Sequence, residues 1–321
     1  MFWLSRSDGS DDLPFLISGT EELSYKQTFH RADELLAGYA RGVVALLCER
    51  NIETVIGYLG TLRCNHVPFL FDASLDKNVI AQLLDSYHVE LVFGPSSIVI
   101  DGYEVIESYG SFSLLNRVHT KIAEDIHPDL ALIIPTSGTT GDPKSVRLSA
   151  KNIQSCTESI VRYLALNSSR RAISLLPLQY SYGLSVLNSV AEARGTYCIS
   201  SHSPVSRDFW NEIVKYQVTD LSAVPFVFES IRRMRFSTDI LNTLKYVTQA
   251  GGRLDVKLSS HFFDMFSRYG VKYFTMYGQT EASPRISYLD PEFAKEKSGS
   301  VGTALDIGEV CLNNIDQESN E

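Results

Sequence analysis

The chain has no Cys-x-x-Cys pair, no His-Glu-x-x-His motif, and no apolar run approaching ~18 residues. Each absence removes a class of protein. The five cysteines (Cys48, Cys64, Cys156, Cys198 and Cys311) are odd in number, far apart and mostly set in apolar runs, which excludes a disulfide framework and predicts reduced, buried thiols. The seven histidines show no ligand spacing, so no structural metal is expected. Without a long apolar run no membrane span is predicted. The start, Met1 to Asp8, lacks the basic and apolar regions of an export signal, so a cytoplasmic location is expected. Basic residues are outnumbered, 29 against 38, and the net charge of −9 argues against a nucleic-acid partner or an anionic membrane surface. An anionic substrate would need a local site. No internal repeat, low-complexity tract or linker is evident.

What is present is a long alternation of strand and helix signals. Residues 1 to 22 carry weak periodicity and several Asp, Ser and Gly, and are predicted as an irregular lead-in. Order begins near Leu23 with a helix-spaced set that includes Phe29, Ala32 and Leu35. Strands are predicted at Val43–Cys48, His66–Phe71, Val89–Phe93 and Ser97–Ile100, with helices from Ile52 to Leu62 and Lys77 to Tyr87. From Gly94 to Asp129 the pattern is hard to read. Further on, helices fit Lys151–Leu164, Tyr182–Ala193, Arg207–Tyr216, Phe226–Met234 and Val256–Tyr269. Strands fit Ala172–Leu176, Tyr197–Ser200, Asp220–Ala223, Lys245–Gln249 and Lys272–Met276. Such alternation predicts an α/β protein with parallel strands and helices on both faces, and 321 residues suffice for more than one lobe.

The most informative stretch is Thr136-Ser-Gly-Thr-Thr-Gly-Asp-Pro-Lys144, which follows the apolar run Leu130 to Ile134. Gly138 and Gly141 allow a sharp turn that brings backbone N–H groups close to an anion, while Thr136, Ser137, Thr139 and Thr140 supply hydroxyl donors. Lys144 adds a positive charge. The order is like that of a Walker A loop, but Pro143 precedes Lys144 and offers no N–H. Ser145 to Leu148 then alternates like a strand, whereas a Walker A loop opens a helix. A P-loop phosphotransferase is therefore disfavoured. The plainer alternative is a hairpin turn with a solvated lysine.

Residue for residue, the stretch resembles the Thr-Ser-Gly-Thr-Thr-Gly-x-Pro-Lys signature of the adenylate-forming enzymes, which include acyl- and aryl-CoA synthetases, peptide-synthetase adenylation domains and luciferase. The resemblance runs from about residue 23 to the end. In the early region, Cys64-Asn-His66 stands before Val67-Pro68 where that family usually reads Ala-Gly-Ala. The resemblance implies two doubly wound, mostly parallel sheet subdomains, residues 1–160 with the phosphate loop and 161–296 with the adenine and acyl sites. It also implies the start of a small β-barrel-like subdomain at 297–321, where Ser298-Gly-Ser-Val-Gly302 leads towards a strand at Gly308–Leu312.

The same resemblance assigns roles. Thr136, Ser137, Gly138, Thr139, Thr140, Gly141 and Lys144 would hold the ATP phosphates. In Met276-Tyr-Gly-Gln-Thr-Glu281, similar to the family's Tyr-Gly-x-Thr-Glu, Tyr277 would stack on adenine, Thr280 would contact the α-phosphate and Glu281 would ligate Mg²⁺. A flat ring, a small hydroxyl and a hard carboxylate suit those tasks. Taken alone, Thr280 could equally cap a helix. Ala250, Gly251 and Gly252, after the strand ending at Gln249, would approach the adenine edge. Tyr180 falls where the family often has a histidine beside the acyl pocket; Tyr180, Tyr182, Phe226, Gln249 and Tyr277 are pocket candidates, although two tyrosines near a Pro-Leu turn could also be packing residues. No Asp lies between Leu175 and Ser189 to pair with a substrate ammonium, which favours an acyl or aryl acid over an α-amino acid.

The resemblance thus implies an ATP- and Mg²⁺-dependent ligase that adenylates a small carboxylic acid and passes the acyl group to CoA or to the phosphopantetheine of an acyl carrier protein. The family's ribose-binding Asp, its small mobile C-terminal domain and the lysine of that domain have no counterpart. The chain is therefore expected to be weakly active alone. The competing expectation is a non-catalytic nucleotide-binding module or one part of a split enzyme.

Overall fold

The computed structural model describes residues 1–119, 125–136 and 144–311. Along the chain run β1 (Pro14–Ser18), β2 (Glu21–Ser24), α1 (Tyr25–Leu35), β3 (Val43–Cys48), α2 (Ile52–Arg63), β4 (Val67–Asp72), α3 (Lys77–Ser86), β5 (Leu91–Pro95), β6 (Tyr103–Tyr109), β7 (Phe112–Arg117), β8 (Leu130–Thr136) and β9 (Lys144–Ser149). Then come α4 (Ala150–Tyr163), β10 (Arg171–Ser174), α5 (Ser181–Glu192), β11 (Thr196–Ile199), α6 (Arg207–Lys215), β12 (Asp220–Ala223), α7 (Pro225–Ile231), α8 (Thr238–Thr243), β13 (Tyr246–Gln249), α9 (Val256–Ser267), β14 (Lys272–Tyr277), β15 (Ser287–Leu289) and β16 (Thr303–Ala304).

Two sheets result. The seven-stranded sheet has the order β6-β7-β5-β3-β4-β8-β9, parallel from β5 to β8 and antiparallel at its edges. The nine-stranded sheet has the order β16-β15-β14-β13-β12-β10-β11-β1-β2, parallel from β14 to β1. The buried apolar strands Val43–Cys48 and Val67–Asp72 are what a parallel sheet covered on both faces requires. Helix starts follow their capping residues: Ser24 and Ser149 make capping boxes with Gln27 and Asn152, and Asn51 caps α2. The largest core lies where the sheets meet, with α1, α2 and α5 contributing Phe29, Tyr58, Leu59, Leu184 and Leu187. Tyr25 is buried there and its hydroxyl donates to the Gly195 carbonyl at 2.7 Å.

Several expectations need correction. The first residues are not an irregular lead-in: Phe2 and Trp3 are buried, and β1 pairs in parallel with β11, Leu16 opposite Tyr197. Sheet membership therefore does not follow a division at residue 160, because β1 and β2 belong to the nine-stranded sheet. Residues 97–100 form a turn and coil rather than a strand, and the hairpin β6–β7 follows. Its outer strand is largely exposed and bulged between Val105 and Glu107, which hides its period. Thr303 and Ala304 pair with β15 and extend the sheet edge. Residues 308–311 are not in a strand, and Leu312 to Glu321 lie outside the described residues.

All five cysteines are free. Cys48, Cys156 and Cys198 are buried, Cys64 is half-buried, and Cys311 is exposed. Burial pushes the Cys198 thiol up to about 12. Among the described residues no helix is long and apolar enough to cross a membrane.

Candidate active site

Ala131 to Ile134 bury β8 in the first sheet, and Thr136 stands at the strand's end. Thr136 sits opposite Lys144 in the antiparallel β8–β9 register, and its hydroxyl donates to the Lys144 carbonyl at 3.2 Å. The phosphate-loop residues Ser137, Gly138, Thr139, Thr140 and Gly141 lie outside the described residues. Their two flanks are nevertheless fixed as a hairpin, and the chain continues after Lys144 as a strand. That is the feature that separates this loop from a Walker A loop. Lys144 is exposed.

β9 lies against a 3-10 turn, Thr280–Ala282, that follows β14. Gly278 makes that turn possible, because a Cβ there would run into the carbonyl of Pro284. The Ile286 amide donates back to the Tyr277 carbonyl at 2.9 Å and closes the loop. Tyr277 is 47% exposed, leaving a ring face free, and Glu281 presents an exposed carboxylate. Thr280 is not a helix cap: Gln279 holds that position and no side chain caps the turn. Instead, Thr280 Oγ1 and Ser181 Oγ share a hydrogen bond of 3.0 Å.

Ser181 opens α5, so this bond joins a third segment to the other two. Just before it, Gln179 Nε2 donates to Asp72 Oδ2 at 2.7 Å and ties the turn to the end of β4 in the first sheet. After β13, Gly251 has φ +78°, a left-handed conformation that glycine adopts freely, and a Cβ there would press on Val224 at 2.9 Å. Gly251 and Gly252 are exposed and Ala250 is buried. Since Gln249 pairs with Thr275, this Gly-rich turn leaves the sheet from the same edge as Tyr277.

Near that edge is a small cavity of about 30 Å³ whose walls include Tyr182, Ser185, Ser189, Thr248, Met276 and Arg285. Tyr182 is the only acyl-pocket candidate in its wall. Its hydroxyl bonds Thr248 Oγ1 at 2.8 Å, and burial raises its pKa against the pull of nearby Arg285. Phe226 is 73% exposed at the start of α7 and faces a separate surface groove with Asp255, Lys257 and His261. Gln249 is buried, but strand alternation turns it away from Thr248, and its Nε2 donates to the Gly252 carbonyl at 2.9 Å. Tyr180, at the N-cap of α5, is exposed and lies outside the cavity wall. Ser185 and Arg285 were not anticipated; Ser185 is one helical turn from Tyr182, a spacing that could have marked it.

Among the described residues no three His, Cys, Asp or Glu side chains cluster to hold a metal. The single carboxylate of Glu281 beside the hydroxyl of Thr280 fits a different arrangement. Mg²⁺ commonly takes one or two carboxylates and completes its shell with substrate phosphates and water.

The family model described as AMP-binding enzyme matches residues 5–320. A 2-succinylbenzoate–CoA ligase of Bacillus velezensis is 24% identical over 92% of this chain and 62% of its own length. A D-alanine–D-alanyl carrier protein ligase of Bacillus licheniformis is 22% identical over 95% of this chain and 64% of its own. Bacitracin synthase 2 of the same species is 24% identical over 96% of this chain and 12% of its own length. The chain thus spans less than two thirds of these relatives. In fold it resembles o-succinylbenzoate coenzyme A synthetase from Bacillus subtilis in complex with ATP and magnesium ion, with a TM-score of 0.79 and 22% identity over 98% of this chain and 67% of that one. The N-terminal domain of FACL13 from Mycobacterium tuberculosis gives a TM-score of 0.76 at 18% identity, over 95% of this chain and 81% of that one. With the family match running almost from end to end, the chain belongs to the AMP-binding enzyme family.

Proposed function

We propose that this chain forms the nucleotide- and acid-binding part of an ATP-dependent ligase that activates a carboxylic acid as its acyl-adenylate. The observation that carries the reading is the meeting of three sequence-distant segments: β9 against the Thr280–Ala282 turn, and Thr280 bonded to Ser181 at the start of α5. The substrate carboxylate attacks the α-phosphorus of ATP, the bond to the bridging oxygen of pyrophosphate breaks, and pyrophosphate leaves. A thiol then attacks the acyl carbonyl and expels AMP.

In this reading Thr136, Lys144 and the intervening Ser137, Gly138, Thr139, Thr140 and Gly141 hold the β and γ phosphates, where charge develops on the leaving group. Thr280 donates to the α-phosphate. Adenine lies between the face of Tyr277 and the backbone of Ala250, Gly251 and Gly252. Glu281 would hold Mg²⁺, which neutralises phosphate charge when bound. Tyr182 and its cavity receive the tail of the acid, while Tyr180, exposed at the mouth of α5, borders the path to it.

The relatives support both kinds of thiol acceptor, since one is named for a CoA product and another for a carrier protein. CoA and a carrier-protein phosphopantetheine both remain within the proposal, in a cytoplasmic setting. The test is acid-dependent exchange of labelled pyrophosphate into ATP by the native protein. Exchange that needs a carboxylic acid supports the reading. Nucleotide binding with no exchange for any acid would favour a non-catalytic module.

A further inference from the structure

Arg285 is 5% exposed, stands in the wall of the cavity below the Thr280 turn, and has no carboxylate in ion-pair range among the described residues. Its guanidinium donates to Ser185 Oγ at 3.4 Å, touches the Met276 sulfur, and lies 5.0 Å from the centre of the Tyr182 ring. These are weak acceptors for a group that offers five N–H donors in a fork suited to a carboxylate. The other buried cation of the cavity differs. Arg170 is paired with Asp220 and covers the face of Tyr246 at 3.7 Å. The one acid in the wall is thereby already used, and Arg285 leaves the cavity with an uncompensated positive charge.

We infer that Arg285 is a specificity-determining residue that selects a short carboxylic acid carrying a second anionic group at its far end. This rests on the proposed acid activation. Ser181 and Tyr182 are adjacent on α5, the first bonded to Thr280 and the second lining the cavity. An acid whose reacting carboxylate meets Thr280 therefore directs its tail past Tyr182 to Arg285. A space of about 30 Å³ admits only the end of a short tail and excludes a long chain. A second carboxylate at the end of a short tail would supply the acceptor that Arg285 lacks. An ammonium group at the end of the tail would meet an unopposed like charge and is selected against.

The test is a panel of matched acids with the native protein: succinate and glutarate, butyrate and valerate, and norvaline. Acid-dependent pyrophosphate exchange gives kcat/KM, and calorimetric titration with ATP present gives binding. The expected result is a preference of at least ~30-fold for the dicarboxylates, lost in Arg285→Met and partly kept in Arg285→Lys, a split that a merely structural role would not produce. Equal use of all acids, a preference for butyrate or norvaline, or a dicarboxylate preference that survives Arg285→Met would overturn the inference while leaving acid activation intact. Absence of exchange with every acid overturns both. If Arg285→Met does not fold, the wild-type ranking and Arg285→Lys decide.

Discussion

Ser181 and Thr280, 99 residues apart, are joined by a hydroxyl-to-hydroxyl hydrogen bond of 3.0 Å, and through it the start of α5 is fixed to the turn after β14. Either oxygen can donate, so the pair can leave one hydroxyl hydrogen free for a phosphate oxygen. Preorganised donors of this kind stabilise developing charge without reorganising during the reaction.

Thr280→Val should lower kcat by about 10² to 10³, the usual loss for one donor to developing charge, and leave the thermal midpoint nearly unchanged. Ser181→Ala should cost less, because Ser181 acts by holding Thr280. The double variant should be less than additive in pyrophosphate exchange, since the two hydroxyls work as a unit.

Gly278→Ala should destabilise the fold by about 1–3 kcal/mol, because its new methyl group must displace the Pro284 carbonyl. Denaturant unfolding would register this as a lower midpoint at constant slope. Activity should fall with it, since the same turn carries Thr280 and Glu281.

Asp220 is largely buried against Arg170, and its pKa is raised by burial although Arg170 and Thr219 oppose the rise. Asp220→Ala should cost about 3–5 kcal/mol by leaving Arg170 buried without a partner. Replacing both by apolar residues of similar volume should recover most of that loss in thermal unfolding.

His66 accepts the Gly42 amide on Nδ1 at 3.1 Å, while its buried Nε2 has no partner, and burial holds its pKa below the ordinary histidine value of 6.5. The unfolded chain therefore binds the proton more readily than the folded one. Stability should be complete above pH 6.5 and decline as pH falls from there through the folded pKa. His66→Asn should flatten that slope in chemical denaturation between pH 7 and 5.

Much of the fold was legible because it is local. Val43–Cys48 is an unbroken apolar run, and α2 announces itself by the spacing of its apolar residues. β1 escaped because Phe15, Leu16 and Ile17 form too short a run to stand out, and their pairing with Tyr197 and Cys198 is a tertiary fact. The two glycine turns were readable since Gly278 and Gly251 answer to backbone demands within a few residues. The cavity was not, because Tyr182, Thr248 and Arg285 come from three separate segments and meet only in the folded chain. Phe226 and Gln249 lie outside that cavity's wall, because motif proximity does not say which way a strand or helix turns a side chain.

The most direct test of acyl-adenylate formation is the fate of oxygen from the acid. With ¹⁸O in the substrate carboxylate, a thiol acceptor and ATP, turnover by the native protein should place one labelled oxygen in AMP and none in pyrophosphate. Label in inorganic phosphate or pyrophosphate, or ADP as the nucleotide product, would mean attack at another phosphorus and would contradict the account.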